Sequence, residues 1–187
     1  VVVVGSIDAI LFAVVLALLR FVRIVARPLC EVLGEVPGLP GFHSSERHPD
    51  ANTIPGICLF RFNSPVVFFN APYFKRSALQ AAAAVGPSLR WFVLDAVPIT
   101  SNDVTGRHAL HELVLELESR GVQVALAGRQ TEFEDLRREK GFEELHPDGL
   151  RKFPTLRSAV RILQEELRPE GDPFGVAHPI PPRPRPE

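Results

Sequence analysis

The stretch LDAVPITSNDVTGRHAL, from Leu94 to Leu110, decides the fold because it joins a buried strand to an amphipathic helix through a short polar turn. Residues 91–94 are apolar and predict the strand. Apolar residues then recur at helical spacing, at Leu110, Leu113, Val114 and Leu117. The turn holds side chains that favour a helix N-cap or first turn, namely Ser101, Asn102, Asp103 and Thr105. Because functional residues of α/β folds often follow the carboxyl ends of strands, this turn is the first candidate site.

Strands and helices alternate around this stretch. The apolar runs Ile57 to Phe62 and Val66 to Asn70 predict two strands, and the intervening Asn63-Ser64-Pro65 predicts a hairpin turn. We also predict helices over 72–85, 103–120, 131–140 and 155–167, and strands over 122–127 and 142–145. This order predicts an α/β fold with a mixed sheet and helices packed against it. Phe68 and Phe69 are expected in its core.

The composition excludes several classes of protein. A net charge of -1 over 187 residues, without a basic patch, argues against a general nucleic-acid binder. Cys30 and Cys58 provide neither a disulfide framework nor zinc-site spacing, so we expect reduced cytosolic thiols. The sequence contains no methionine, and we therefore expect it to be part of a longer polypeptide.

The N-terminal segment predicts a membrane-spanning helix. Val1 to Leu19 is apolar or small except for Asp8, and a spanning helix needs about 20 such residues. Arg20, Arg23 and Arg27 follow on one helix face and predict a cytosolic C-terminal side. A signal peptide is disfavoured because these charges follow the apolar run, whereas a buried core helix stays open as an alternative. Asp8 would need a polar partner, which suggests further membrane helices outside this chain.

Proline and glycine mark the segments on either side of the predicted domain. Residues 28–55 have no sustained apolar period and are interrupted by prolines and glycines, among them Pro37, Gly38, Pro40, Gly41 and Pro49. They predict an irregular linker. Residues 170–187 contain six prolines and predict a solvated, disordered tail, with a proline-rich ligand as the alternative. The expected organisation is a transmembrane helix over 1–27, a linker over 28–55, a globular domain over 56–168 and a tail over 169–187.

Three segments in order resemble the C-terminal part of SulP-type anion permeases, where a last transmembrane helix precedes a cytosolic STAS domain. VLGEVPGLPGFHSSERHPDANTIPGI (32–57) is similar to the linker of that family. RFNSPVVFFNAPYF (61–74) is similar to its strand-strand-helix signature, and the stretch 94–110 to its core loop. The resemblance covers residues 1 to about 167. It implies a STAS-type mixed β-sheet with helices packed against it, preceded by one transmembrane helix.

The resemblance also implies a function. Such permeases are secondary transporters of anions such as sulfate or bicarbonate, by proton- or sodium-coupled uptake or by exchange. Their transport site lies among membrane helices that this chain lacks, so the chain would supply a regulatory or assembly module. The implied partners are its own transmembrane transporter domain, the lipid bilayer and a second copy in a homodimer. The implied place is the inner or plasma membrane with the STAS domain in the cytoplasm, and neither a cofactor nor nucleic acid is expected.

The same resemblance suggests a switch at the polar turn. STAS domains are related to anti-sigma-factor antagonists, in which a serine of an Asp-Ser-x-Gly type of loop is phosphorylated. Alignment of residues 103–106 with that loop places Thr105 at the phosphorylated position and Asp103 beside it. A phosphate there would be favoured by the helix N-terminus and repelled by Asp103. The alternative is that both residues only cap the helix.

Weaker candidates remain. Ser101, Asn102, Asp103, Thr105 and Gly106 could form a nucleotide- or anion-binding loop, although it is not a P-loop. His108, His111 and Glu112 share a helix but lack the His-Glu-x-x-His order of a metal site, and solvated side chains are favoured. The mixed-charge run 132–140 predicts an exposed helix face or a docking surface.

Two other functional classes are weighed against the permease module. A hydrolytic enzyme is not predicted, because neither a nucleophile elbow nor a plausible triad occurs in the sequence. A free-standing STAS protein that acts like an anti-sigma-factor antagonist is the alternative function. The apolar segment from Val1 to Leu19 argues against that alternative, because a soluble antagonist does not need it.

Overall fold

A computed structural model describes residues 5–128 and 150–168 of the chain. Its elements in chain order are α1 (Ser6–Ala26), β1 (Cys30–Glu35), β2 (Phe42–Ser44), β3 (Ile57–Phe62), α2 (Ala71–Val85), β4 (Trp91–Asp95), α3 (Val104–Ser119), β5 (Gln123–Ala127), β6 (Arg151–Phe153) and α4 (Leu156–Leu167). These strands form one sheet in the order β2-β1-β3-β4-β5-β6. β1 is antiparallel to β2 and β3, whereas β3, β4, β5 and β6 run parallel. The predicted α/β fold with a mixed sheet is confirmed.

Helices cover both faces of the sheet. On one face, Phe60 and Phe92 belong to the same buried core as Leu113 of α3, together with residues of α2. On the other face, Leu59 packs in a second core with Leu163 of α4. Strand β4 is buried along its whole length because both of its faces are covered. Its continuous apolar sequence is typical of a parallel strand between two helical layers.

The described helices begin and end close to their predicted bounds. The Asp103 side chain caps α3, and Thr155 forms a reciprocal capping box with Ser158 at the start of α4. Gly86 ends α2 with a positive φ of 81°, a conformation that favours glycine. The predicted helix over 131–140, the strand over 142–145, the mixed-charge run and the tail over 170–187 lie outside the described residues. Strand β6 was not predicted.

The predicted hairpin of β3 with Val66 to Asn70 is wrong. Residues 67–70 form a turn, and Val66 makes only an isolated parallel bridge, to Asn102. Both edges of β3 are already paired, with β1 on one side and β4 on the other. A hairpin partner for β3 therefore has no free edge to bind.

The prediction of an irregular linker over 28–55 is wrong for two parts of it, because β1 and β2 lie there and belong to the sheet. Strand β1 has the sequence CEVLGE, which mixes polar and apolar residues and contains a glycine. Such a segment has little strand propensity of its own. Its pairing with β3, from Cys30 opposite Phe62 to Leu33 opposite Leu59, makes it a strand.

Helix α1 is the candidate membrane-spanning element of the described residues. Its segment Ile7–Ala26 is long and apolar enough to cross a bilayer, and none of it is buried against the rest of the chain. The buried core helix considered as an alternative is therefore not what the structure contains. Its last turn carries Arg23, and β1 begins four residues after it ends.

Candidate functional site

The site lies at the carboxyl ends of β3 and β4, where the loops 63–70 and 96–103 meet the start of α3. The two loops are joined through their backbones, since the Val66 N–H donates to the Ser101 carbonyl at 3.2 Å. The segment that joins α1 to β1 reaches the same edge, because the Asn63 N–H donates to the carbonyl of Leu29 at 3.0 Å. The carboxyl edge of the sheet is thus the edge next to the candidate membrane helix.

Asp103 holds this edge together with both of its carboxylate oxygens. Oδ1 accepts the Gly106 N–H at 2.7 Å, which is the predicted N-cap interaction of α3. Oδ2 accepts the Phe68 N–H of the other loop at 2.8 Å. The Gly106 N–H, and with it the N–H of Phe68, holds the pKa of the Asp103 carboxyl below its ordinary value. Asp103 therefore caps a helix and also fastens two loops.

Gly106 is required by the close approach of the neighbouring loop. A Cβ at this position would lie 2.0 Å from the Val66 carbonyl oxygen and 2.8 Å from its carbonyl carbon. No side chain larger than hydrogen fits there. The Gly of the Asp-x-Thr-Gly element therefore has a packing role.

Thr105 faces outward at the end of a groove between α2 and α3. The groove has a volume of about 540 Å³ and is lined largely by small and apolar side chains, such as Leu79, Ala83 and Ala109. Cationic and polar residues also line it, including Lys75, Arg76 and His108. Thr105 itself is exposed and accessible to a large partner.

The predicted anion-binding loop is brought together, but it contains a carboxylate. Ser101, Asn102, Asp103, Thr105 and Gly106 all lie at the start of α3. The Gly106 N–H that a bound anion could use is already taken by Asp103. An anion at this helix end would therefore find the Gly106 N–H already bonded, and the Asp103 carboxylate would repel it.

An ion pair that the sequence did not predict lies at the same edge, and its carboxylate is buried. Arg61 and Asp95 are register partners at the ends of β3 and β4, and Arg61 Nε donates to Asp95 Oδ2 at 2.7 Å. The Asp95 side chain is 2% exposed, and its Oδ1 also accepts the Val97 N–H at 3.2 Å. The signal in the sequence was an arginine and an aspartate at the ends of two apolar strands.

Asn70 is a second residue whose role the sequence did not predict. Its side chain is fully buried, and Oδ1 accepts the Val67 N–H at 2.8 Å. Its Nδ2 donates to the Pro65 carbonyl at 2.9 Å and to the Val25 carbonyl, in the last turn of α1, at 3.4 Å. Asn70 therefore shapes the 63–70 loop and connects it to the candidate membrane helix.

The expectation that Phe68 and Phe69 lie in the core is wrong. Their side chains are 66% and 40% exposed, because residues 67–70 turn away from the sheet instead of pairing with it. The buried aromatic residues come instead from the strands and from α2, as Phe62 and Phe74 show.

Two side chains of the predicted histidine cluster contact each other, and Lys75 forms an ion pair with one of them, Glu112. His108 Nε2 lies 3.1 Å from a Glu112 carboxylate oxygen, and Lys75 Nζ donates to the other oxygen at 2.9 Å. That lysine hydrogen bond is the main cause that lowers the pKa of Glu112. Over residues 5–128 and 150–168, no group of three or more histidine, cysteine or acidic side chains could hold a metal ion.

Sequence and structure comparisons identify the family. Residues 48–159 match the family model of the STAS domain. A Mycobacterium tuberculosis protein named as a probable sulfate transporter is 36% identical over 161 residues, which cover 86% of this chain and 28% of that protein. Sulfate transporter 1.1 of Arabidopsis thaliana is 30% identical over 166 residues, covering 84% of this chain and 25% of the relative. The chain thus spans about a quarter of the length of these relatives.

A solved structure shows the same fold. The murine solute carrier 26 family member A9 anion transporter, in its inward-facing state, matches with a TM-score of 0.73 and 21% identity. The match covers 86% of this chain and 26% of that transporter. These matches confirm the resemblance to the C-terminal part of a sulfate permease-like transporter, an apolar helix followed by a STAS domain. The chain belongs to the STAS domain family.

Proposed function

We propose that this chain is the cytosolic regulatory and assembly domain of a sulfate permease-like secondary anion transporter, tethered by its last membrane helix. The observation that carries the proposal is the contact between Asn70 and the Val25 carbonyl, which places the carboxyl-edge loops beside the end of α1. A domain held at this position can transmit a change in its loops to neighbouring membrane helices.

Other features support the same assignment. The relatives are named as sulfate transporters, and the chain spans about a quarter of their length. Transport of sulfate or a similar anion would therefore take place in membrane helices outside this chain. Arg20, Arg23 and Arg27 follow the apolar segment and support a cytoplasmic position for the domain. A homodimer, a membrane segment over 1–27 and a proline-rich tail over 169–187 belong to the same proposal.

A free-standing antagonist-like switch protein is not favoured. The apolar residues of α1 are exposed, with Phe12 at 65%, and a soluble protein of this kind would aggregate through them. The relatives reported above are also named as transporters.

A chimera tests the proposed function. In the Mycobacterium relative, the matching 161 residues are replaced by those of this chain, and uptake of radiolabelled sulfate is measured in membrane vesicles. We expect the chimera to transport sulfate and a version ending after residue 27 of this chain to lose most of the uptake. In the chimera, Asn70→Ala should lower uptake, whereas Ser119→Ala, on the exposed end of α3, should not. Equal uptake by the truncated and complete chimeras would refute the regulatory role.

Thr105 is the proposed site of control by phosphorylation. Its exposure and the cations of Lys75 and Arg76 in the same groove support a phosphate there, although Asp103 opposes it. We expect Thr105→Glu to change sulfate uptake by the chimera and Thr105→Ala to leave its basal uptake unchanged. Mass spectrometry of the peptide that contains Thr105 gives the direct readout. Absence of phosphate in cells that contain the active transporter would refute this control.

Nucleotide binding by the same loop is the remaining proposal for this site. The start of α3 supports it, and the carboxylate of Asp103 weakens it. A thermal-shift titration with GTP, GDP and ATP provides the test, and Asp103→Asn should increase any shift that the wild type shows. No shift at millimolar ligand in either protein would remove the proposal.

A further inference from the structure

Three exposed apolar residues form a patch at the carboxyl edge, namely Phe68, Phe69 and Val104, here called the edge patch. Their side chains are 66%, 40% and 66% exposed, and among the described residues after α1 no large apolar side chain is more exposed than Phe68 or Val104. The two phenylalanine rings meet edge to face, with centroids 5.2 Å apart. Val104 directly follows Asp103, whose carboxylate accepts the Phe68 N–H at 2.8 Å, so Val104 lies at the end of the loop that adjoins the two phenylalanines. Exposed apolar clusters are typical of surfaces that bind a partner protein or a membrane.

The edge patch lies at the level where α1 leaves the bilayer. Ile7–Ala26 contains 20 residues. At about 1.5 Å per residue, a helix of that length spans roughly 30 Å, the thickness of the hydrocarbon core. Val25 lies between Arg23 and Arg27, whose charges favour the headgroup level, and it is therefore at the membrane surface when α1 spans the bilayer. Its carbonyl accepts Asn70 Nδ2 at 3.4 Å, and Asn70 directly follows Phe69.

The loop that carries the phenylalanines is held in its exposed conformation. Asn70 closes the turn from inside, through the Val67 N–H and the Pro65 carbonyl, at 2.8 and 2.9 Å. Asp103 fixes the Phe68 backbone from the other loop at 2.8 Å. The loop is thus ordered before it meets a partner, and burial of the rings carries little additional cost in backbone entropy.

The charges around the edge patch fit an anionic lipid surface. Arg20 and Arg23 lie one turn apart near the end of α1, and Arg27 directly follows the helix, so all three can reach phosphate headgroups. Asp103 is an acidic group beside the patch, and its two oxygens already accept backbone N–H groups. The arrangement of basic side chains next to apolar and aromatic ones is typical of segments that lie in a membrane interface.

We propose that Phe68, Phe69 and Val104 insert into the headgroup layer of the bilayer that α1 spans. The insertion adds a second attachment beside α1 and so fixes the orientation of the STAS domain against the membrane. The proposal depends on α1 spanning the bilayer and is independent of any regulatory role of the domain.

Tryptophan fluorescence in vesicles tests the insertion. The whole chain is reconstituted through α1 into vesicles of phosphatidylcholine and phosphatidylglycerol, and vesicle-bound chain is isolated by flotation. Phe68→Trp adds a reporter at the patch, while Trp91, the single tryptophan of the sequence and 8% exposed, provides the baseline in the parent chain. Leu39→Trp is the matched control, since Leu39 is also exposed, at 47%, but follows the far end of β1.

Lipids brominated near the headgroup should quench the added fluorescence of Phe68→Trp about twofold, because interfacial apolar groups lie roughly 5–10 Å deep. The same reporter should be shielded from acrylamide in the aqueous phase. Leu39→Trp should show the opposite behaviour. If Phe68→Trp behaves as Leu39→Trp does, the proposal is overturned. It is also overturned if neither quencher reaches the reporter, which would mean that a second copy of the chain covers the edge patch.

Discussion

Gly106 lies so close to Val66 that a Cβ at position 106 would come within 2.0 Å of the Val66 carbonyl oxygen. Val66 cannot easily withdraw, because its N–H donates to the Ser101 carbonyl and it bridges Asn102. The start of α3 and the loop after β3 therefore pack backbone to backbone.

Gly106→Ala should destabilise the fold by about 3 kcal/mol, because the methyl group forces two backbone segments apart. The measurement is urea unfolding of the whole chain in detergent micelles, followed by the fluorescence of Trp91. Thr105→Ala is the control, since Thr105 is exposed and its loss should change the free energy of unfolding by only about 0.5 kcal/mol. Equal midpoints for the two variants would contradict the packing role.

Asp103 should make the stability of the chain depend on pH in acid. Its native pKa is below the ordinary value of 3.8, chiefly because the Gly106 N–H binds the carboxylate. The unfolded state therefore takes up a proton first, and the stabilisation, complete above the unfolded pKa, is lost as the pH falls through the native pKa.

Asp103→Asn keeps a capping oxygen but cannot ionise, so the free energy of unfolding should fall less steeply with decreasing pH in this variant. Hydrogen bonds from Lys75 and Arg151 also lower the pKa values of Glu112 and Glu166. These two groups contribute equally to the pH dependence of wild type and variant. Urea unfolding at a series of acidic pH values measures the difference. Parallel curves for wild type and variant would show that Asp103 does not contribute.

The Arg61–Asp95 pair should show strong coupling. Arg61→Leu leaves the Asp95 carboxylate buried without its cation and should cost about 3 kcal/mol. Adding Asp95→Asn removes the charge while keeping an acceptor for the Val97 N–H, so the double variant should recover part of the loss. A double-mutant cycle from urea unfolding measures the coupling. Additive effects of the two substitutions would mean that the pair contributes nothing.

Cys58 should resist alkylation as long as the chain is folded. Burial raises its pKa to about 12, so almost no thiolate is present at pH 8. Burial also raises the pKa of Cys30, which is nevertheless partly exposed and should react faster. Iodoacetamide labelling followed by mass spectrometry gives the rates, and unfolded chain, where both thiols react, is the control. Equal rates for the two thiols in folded chain would contradict the burial of Cys58.

Local signals were sufficient for several elements. Strand β3 and helices α2, α3 and α4 were predicted within one or two residues, because their apolar periods are regular and their ends carry caps such as Asp103 and Thr155. The apolar segment of α1 was also evident from the sequence, because its length and composition suit a helix that crosses a bilayer. The N-cap role of Asp103 was predicted because its side chain binds a backbone N–H only three residues away, that of Gly106.

Features that depend on contacts between residues distant in sequence were decided only by the tertiary structure. Strand β1 has little propensity of its own and exists through its pairing with β3, which in turn leaves no edge for the predicted hairpin. The turn that replaces the hairpin depends on the buried Asn70, and it leaves Phe68 exposed beside α1. Regular periods and caps act within about one helical turn and can be seen in sequence, whereas strand edges, buried hydrogen bonds and exposed patches are fixed only when distant segments pack together.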